Sequence, residues 1–538
     1  MKRLATPYKR AEDLDGYDAI VIGSGIGGLG TAALLSRLAN QRVLVLERHY
    51  EAGGFTHTFR RPGYEWDVGV HYVGSVHPKT LLGKFLGLIT DSTLEWADMD
   101  DVYDRIILDD AHYDLPRGRK ALQEQLRDYF PREQEAIDTY FRLIREAAGA
   151  SGSFFLEKLL PAPLSQLFGH RLREDFDLFA RRTTREVLEE LTENQELIAV
   201  LTGQWGDYGL PPAESSFAMH AMLVTHYIHG AVYPVGGSRR IAESIVPVIE
   251  EAGGAVLIRA EVDEILVESG RATGVRMADG REIRAPRIIS GAGVFNTFGR
   301  LLSEENRRAY GLPGLLQEVA PSASHLCLYM GLEHTAEELG LSNTNLWIYP
   351  DEHPEENLLR ATVDPDQPLP VVYISFPSAK DPDFQNRFPG RATIEAITVA
   401  PYHWVERWED TDWKKRGQTY EEFKEELSQR LLEALYEQVP QVRGKIAYHE
   451  LSTPLSTRHF CGYQSGEIYG LDHSPSRFQQ SFLRPRTPIP GLYLTGQDIA
   501  TCGVAGALFG GVLATGAILT SEPRLWPRLV AFLLRQDR

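Results

Sequence analysis

Three observations predict an α/β fold in which a Rossmann-type dinucleotide-binding domain is assembled from distant pieces, with an α+β domain interleaved between them. The first is a strand, glycine turn, helix, strand and acid that follow one another from Tyr17 to Glu47. The second is a set of short alternating strands between Tyr233 and Gly293. The third is a strand leading into a glycine-rich stretch, Pro490 to Ala507, far downstream of the first. The binding domain is therefore expected over 1–75, 231–300 and 456–522, and the substrate-side domain over 76–230 and 301–455.

In the first piece, Ala19 to Ile22 read as a buried strand that runs into Gly23-Ser24-Gly25-Ile26-Gly27-Gly28. Gly23 allows the tight turn, Gly25 lets backbone approach a pyrophosphate, and Gly28 lets helix and strand pack closely. The N-terminus of the helix that follows offers free N–H groups and a positive dipole end to phosphate. A second apolar strand, Val43 to Leu46, delivers Glu47 nineteen residues past Gly28, where an acid accepts from ribose hydroxyls, with Arg48 beside it. A second glycine pair follows in Ala52-Gly53-Gly54-Phe55-Thr56, before Tyr64 to His71. FAD enzymes of the amine oxidase and phytoene desaturase type carry such a pair because the chain skirts the ribityl and pyrophosphate there. FAD is thus the expected cofactor.

In the middle piece, Tyr233-Pro234-Val235-Gly236-Gly237 precedes a helical stretch, Ser238 to Glu251. Short strands with turn signals such as Asp279-Gly280 then read as a small β layer. Val262 is placed to contact the adenine end through its backbone. In the last piece, Leu492 to Leu494 is a strand that leads to Gly496 and Asp498, an acid expected on a ribityl hydroxyl. The uncharged run from Ile499 to Ser521 is long enough for a membrane span. Its five glycines and its place directly after Asp498 favour a buried helix whose N-terminal dipole faces the flavin. Gly503, Val504 and Gly506 then allow close approach to the ring.

The interleaved domain is expected to hold two amphipathic helices over 117–148, split at Phe130-Pro131 with Pro131 opening the second. Lys158 to Leu172 is a Leu- and Phe-rich segment suited to a lid or mouth. Strand-like runs occur at 322–334 and 370–400, and a helix from Tyr420 to Gln438. At the C-terminus, 523–538 reads as a basic amphipathic helix. Arg528, Arg535 and Arg538 share one face, and Leu529, Val530, Leu533 and Leu534 the other. That pattern suits contact with a membrane surface.

Composition narrows the class. Hydrophobic and charged fractions of 43% and 24% are those of a globular protein. A formal charge of −18 argues against nucleic acid as a partner. Three widely spaced cysteines, Cys327, Cys461 and Cys502, fit neither a disulfide framework nor a zinc site. With no apolar stretch in residues 1–18, a cytoplasmic protein is expected, peripheral on the inner membrane surface.

Together the motifs resemble the flavoprotein family of phytoene desaturases, carotenoid cis–trans isomerases and retinol saturases, the last group most of all. The resemblance rests on Asp67 to Gly74, Tyr233 to Gly237, Val294 to Phe298, Tyr469 to His473 and Thr487 to Ile499, continuing into Thr501 to Gly503. It implies an FAD domain of the glutathione reductase and amine oxidase type. It also implies redox or isomerisation chemistry on a carbon–carbon double bond of a long apolar polyene or unsaturated lipid. Saturation needs a hydride from reduced flavin and a proton from a protic group. The same site run in reverse is a desaturase, and proton transfer without net reduction makes it an isomerase. An unsaturated fatty-acid enzyme, an amine oxidase and a non-catalytic lipid binder of the GDP-dissociation-inhibitor type are the other readings.

Candidate protic groups are His57, His71, Tyr72 and Tyr233, with Tyr233 and His71 ranked first as catalytic. His220, His226 and His229 lie on an apolar stretch with no acid or cysteine among them. They read as a substrate-tunnel wall, and no metal is expected. Cys502 suits close packing rather than covalent attachment of the flavin.

Overall fold

The computed structural model describes residues 4–521, except for the side chains of Ala162 and Pro163. The expected amphipathic helix over 523–538 lies outside the described residues. A six-stranded parallel sheet runs in the order Thr6–Pro7, Ala255–Ile258, Val43–Glu47, Ala19–Ile22, Ile288–Ser290 and Leu492–Leu494. Apart from Val43–Glu47 and Ala19–Ile22, neighbouring strands are distant in sequence.

The period of two along each strand decides what covers each face. Ala19, Val21, Val43 and Val45 point to one side, where the helices Ile26–Ala39, Arg239–Glu251 and Gly503–Thr520 supply Leu29, Ile245 and Ile518. Ile20, Ile22, Leu44 and Leu46 point to the other. There they meet Ile265, Val275 and Ile283 of the antiparallel layer Val262–Glu268, Arg271–Met277 and Glu282–Arg284. Every residue of these two central strands is buried, as expected of a sheet covered on both sides.

Glycine contacts hold the first and last pieces together. A Cβ on Gly27 would lie 2.5 Å from Gly496 Cα, one on Gly510 2.1 Å from Gly496 O, and one on Gly511 2.8 Å from Gly27 O. Helix Gly503–Thr520 is the one described helix long and apolar enough to cross a membrane. Here it packs on helix Ile26–Ala39, with Leu513, Ala514, Ala517 and Ile518 buried.

The interleaved segments build a seven-stranded sheet ordered Ile446–Ser452, His325–Leu332, Ala392–Val399, Val372–Ser375, Asn345–Tyr349, Val102–Leu108 and Ala111–Pro116. Its pairs are antiparallel except Asn345–Tyr349 with Val102–Leu108. Helix Gln418–Gln438 and its neighbours cover one face with Leu427, Leu431 and Leu435. A helical cluster that includes Gln134–Glu157 and Phe217–Tyr227 packs around Trp205, Tyr208 and Trp347.

Two expectations are corrected. Pro131 does not open the second amphipathic helix. It sits in the turn between Arg119–Tyr129 and Gln134–Glu157, where Glu133 N–H donates to Phe130 O. The 158–172 segment contributes no residue to the cavity described below. Buried Lys158 instead ties it to the core, donating to the carbonyls of Leu483 and Ile499 at 2.8 and 2.9 Å, and helix Ala162–Ala180 follows.

Candidate active site

The carboxyl edge of the parallel sheet opens into a long cavity. Gly23, Gly25, Gly28, Glu47, Arg48, Gly53, Gly54, Phe55, Thr56, Val262, Gly496, Gly503 and Val504 all line it, as does His71. Strand ends and helix starts from three stretches of chain therefore converge where an open α/β sheet presents its ligand crevice.

The wall fits a dinucleotide. A Cβ built on Gly25, Gly496 or Gly503 would meet no protein atom within 4 Å, so these three glycines face open space rather than neighbours. Gly496 and Gly503 have φ of +90° and +75°, which side chains other than hydrogen strain to adopt. At the start of helix Ile26–Ala39 the first N–H groups have no partner inside the helix, and no acid stands in the first turn. Glu47 is fixed beside them. Its Oε2 accepts from Ser24 N and Oγ at 2.8 and 2.7 Å, and its Oε1 from His49 N at 2.7 Å. Ser24 Oγ in turn accepts from Gly53 N at 3.1 Å, which locks the second glycine pair against the first.

Three expected site residues stand elsewhere. Asp498 is buried outside the cavity wall, and its oxygens accept from the backbone of Val294 at 2.7 Å and Leu471 at 3.2 Å. It stitches three chain segments together at the edge of the crevice. Gly506 is also off the wall, since a Cβ there would strike Thr501 O at 2.1 Å. Its smallness serves the turn into the helix. Tyr233 is 2% exposed and off the wall, donating its hydroxyl to Asp67, which also accepts from Ser238 N at 2.9 Å. A hydroxyl so committed supports the strand Ala231–Pro234 rather than a substrate.

The three histidines of 220–229 do not form a tunnel wall either, as none lines the cavity. His220 Nε2 pairs with Tyr140 Oη at 2.9 Å, His226 Nε2 accepts from Gly74 N at 2.9 Å, and His229 is exposed. Cys502 is packed as expected, with its Sγ 3.4 Å from Asp207 O.

His71 does face the cavity. Its Nδ1 lies 2.9 Å from Glu395 Oε2 and its carbonyl accepts from Lys380 Nζ at 2.9 Å. Burial, with the Lys380 charge second, lowers its pKa to about 3, so the imidazole is neutral. Burial raises Glu395 to about 8 and Asp67 to about 6, the latter helped by the Glu395 charge. Burial lowers Lys380 to about 7, against the pull of Asp104, Glu395, Asp67 and Asp207. Lys380 also donates to Asn345 Oδ1 and, at 2.7 Å, to Ser375 Oγ.

Buried polar groups thus line up from Tyr233 and Asp67 to Glu395, and from His71 through Lys380 and Asn345 to Asp104, Tyr72 and Asp207; between Glu395 Oε2 and His71 Nδ1 the two atoms lie 2.9 Å apart with no hydrogen bond formed. Glu395, Lys380 and Asp207 had no signal in the sequence. Glu395 lies on strand Ala392–Val399, Lys380 ends the short helix Pro377–Lys380 and Asp207 ends the turn Trp205–Asp207, and only tertiary packing brings them together. Beyond His71 and Asp207 the cavity continues between the apolar or aromatic side chains of Trp347, Val371, Tyr373, Ile397, Val399 and Tyr469.

Residues 26–519 match the flavin-containing amine oxidoreductase family. An all-trans-retinol 13,14-reductase of Danio rerio is 39% identical over 534 residues, covering 96% of this chain and 87% of that one. A chloroplastic prolycopene isomerase of Arabidopsis thaliana is 28% identical over 92% of this chain and 82% of its own. Among solved structures, a cyclohexylamine oxidase from Brevibacterium oxydans shares the fold with a TM-score of 0.59 at 18% identity, covering 97% of this chain and all of that one (100%). With a nucleotide-shaped glycine cradle, a parallel sheet that matches, and a family match that spans nearly the whole chain, this protein belongs to the flavin-containing amine oxidoreductase family and is a flavin-dependent oxidoreductase.

Proposed function

We propose that the protein is an FAD-dependent reductase that saturates a carbon–carbon double bond of a long apolar polyene, of the retinoid kind named in its relatives. The observation that carries this reading is the continuity of one cavity. It joins the glycine cradle to an apolar compartment under the second sheet, in a chain 39% identical to a retinol reductase. When bound and reduced, the flavin supplies a hydride equivalent, the demanding half of the reaction.

The chain's own residues do the rest. Gly23, Gly25 and the start of helix Ile26–Ala39 receive the pyrophosphate, Glu47 the ribose and Val262 the adenine end. Gly53 to Thr56, Gly496, Gly503 and Val504 bring backbone against the ribityl and ring. Trp347, Val371, Tyr373 and Ile397 exclude water and align the polyene, which fixes the reacting carbons close to their partners. His71, neutral, with its carbonyl held by Lys380 and its ring against Glu395, supplies a polar wall beside them.

The test is anaerobic incubation of dithionite-reduced enzyme with all-trans-retinol, a carotenoid and an unsaturated fatty acid, followed by mass spectrometry. A polyene product two mass units heavier is expected. Isomerisation, the reading favoured by the prolycopene isomerase relative, leaves the mass unchanged, and desaturation lowers it by two.

The same proposal places the protein peripherally on a membrane, the source of such substrates. Leu167 and Phe168, 72% and 51% exposed on helix Ala162–Ala180, give an apolar contact. Co-sedimentation with liposomes that is unchanged in a Leu167→Glu, Phe168→Glu double variant would exclude this contact.

A further inference from the structure

One proton cannot satisfy two anions. Tyr72 Oη lies 2.9 Å from Asp104 Oδ2 and 2.7 Å from Asp207 Oδ2, yet a tyrosine hydroxyl carries a single hydrogen. If both carboxyls were ionised, one of these short contacts would set a carboxylate oxygen against a lone pair. The conflict is relieved when one of the two acids holds a proton and donates it to the tyrosine oxygen.

The surroundings select which one. Asp104, on strand Val102–Leu108, is fully buried and accepts from Asn345 Nδ2 at 2.8 Å and Gln204 Nε2 at 2.6 Å. Asn345 is itself backed by Lys380. These donors stabilise the anion. Asp207 closes the short turn Trp205–Asp207, and no described residue other than Tyr72 hydrogen-bonds its carboxyl. It is the neutral acid of the pair.

Asp207 also stands in the right place. It lines the cavity, and its carbonyl touches Cys502 Sγ, directly before Gly503 of the flavin-side cradle. The other wall carboxyls, Glu47 and Glu261, belong to the nucleotide end with Ser24 and Val262. Asp207 borders the apolar compartment with Trp347, Tyr373 and Tyr469.

We propose that Asp207, held as the neutral acid by Tyr72 and Asp104, donates the proton that completes saturation of the substrate double bond. This rests on the reductase function proposed above. The Asp207 O–H bond breaks and a C–H bond forms on one alkene carbon. The other carbon takes the hydride, and with it both electrons, from the reduced flavin. The substrate gains two hydrogens, the flavin is oxidised by two electrons, and the new carboxylate accepts from Tyr72 O–H until water in the cavity returns the proton. Asp104, Tyr72 and Lys380 are positioning residues.

The electrostatics agree. Burial, with the Asp104 charge second, pushes Asp207 up to about 8. The other titratable groups around it are Asp104, Lys380, Cys502 and the tyrosines Tyr72, Tyr103, Tyr208, Tyr227, Tyr349, Tyr373 and Tyr469. Burial raises the thiol and phenols, so they stay protonated at neutral pH. Burial also raises Asp104, against its hydrogen bonds from Asn345, Gln204 and Tyr72, and lowers Lys380 to about 7.

The test uses flavin-loaded wild-type, Asp207→Asn, Asp104→Asn and His71→Gln enzymes. In infrared difference spectra without substrate, the protonated-carboxyl C=O intensity that titrates near pH 8 should lose the Asp207 component in Asp207→Asn and keep that of Glu395. With dithionite-reduced enzyme, single-turnover reduction of retinol should fall roughly 100-fold or more in Asp207→Asn. Flavin content and KM should stay within a few-fold of wild type. The wild-type rate should drop as pH rises through about 8. In Asp104→Asn the lost negative charge lowers the Asp207 pKa, so that limb should move to lower pH.

An unchanged band or an undiminished rate in Asp207→Asn overturns the donor role. So does a defect confined to KM, which would make Asp207 an anchor for a polar end of the substrate. Loss of turnover in His71→Gln with full turnover in Asp207→Asn would transfer the role to the Glu395–His71 pair. A wild-type enzyme that yields no heavier product sinks the reductase function itself, a result distinct from all of these.

Discussion

Gly25→Ala separates the cofactor from the fold more cleanly than any other substitution. Gly25 has φ −61° and ψ 166°, extended backbone that alanine adopts freely, and an added Cβ meets no protein atom within 4 Å. The apoprotein loses only the preference for glycine over alanine at a helix N-cap, about 1 kcal/mol or less. In a protein of this size that lowers Tm by about 2 °C or less. The new methyl, however, fills the space in which the pyrophosphate approaches the first turn of helix Ile26–Ala39. Losing one hydrogen bond to a charged group there costs about 1.5–3 kcal/mol, or roughly 10- to 150-fold in Kd for FAD. The assay is fluorescence titration of apoprotein with FAD alongside calorimetric Tm. Gly27→Ala is the contrast, because its Cβ would lie 2.5 Å from Gly496 Cα and 2.8 Å from Ala507 O. It should destabilise the apoprotein itself by about 1–3 kcal/mol. If Gly25→Ala binds FAD with wild-type affinity, the pyrophosphate does not lie over this turn.

Three further outcomes are expected. Glu47→Ala removes the acceptor for Ser24 N, Ser24 Oγ and His49 N, and should weaken FAD binding by about 1.5–3 kcal/mol, measured by equilibrium dialysis. Full retention would exclude Glu47 from the site. Tyr233→Phe leaves buried Asp67 one donor short, and should lower stability by about 1–3 kcal/mol while turnover per bound flavin holds. A collapse in turnover at unchanged stability would return Tyr233 to catalysis. Glu395 has a folded pKa raised by burial to about 8 from an ordinary 4.5, so the folded state keeps a proton that the unfolded state releases. Its contribution to stability is full below pH 4.5 and is lost as pH rises through about 8. Glu395→Gln, neutral at every pH, should flatten the decline of Tm between pH 5 and 8. An unchanged slope would show that Glu395 is ionised in the fold.

Much of the fold is legible because its signals are local. A buried strand, a glycine turn and an acid at fixed spacing identify the dinucleotide domain without reference to the rest of the chain. The β layer after Val262 and the helix Gln418–Gln438 likewise announce themselves by period and turn residues. The errors fall where a residue's partner is distant. Asp498 and Tyr233 have the chemistry of ligand-binding groups, and nothing nearby in sequence shows that Val294, Leu471 and Asp67 already occupy them. Gly506 shares the glycine-rich context of Gly503, yet one faces open space and the other faces Thr501 O.

By itself the sequence determined the cofactor class and the elements that cradle it, since pyrophosphate recognition depends on backbone spacing within one βαβ unit. The tertiary structure alone decided the chemistry of the other half of the site. Asp104, Tyr72, Asp207, Lys380 and Glu395 come from five separate segments, and their proton states follow from mutual distance and burial. Desolvation and charge coupling are properties of three-dimensional proximity, so no spacing along the chain encodes them.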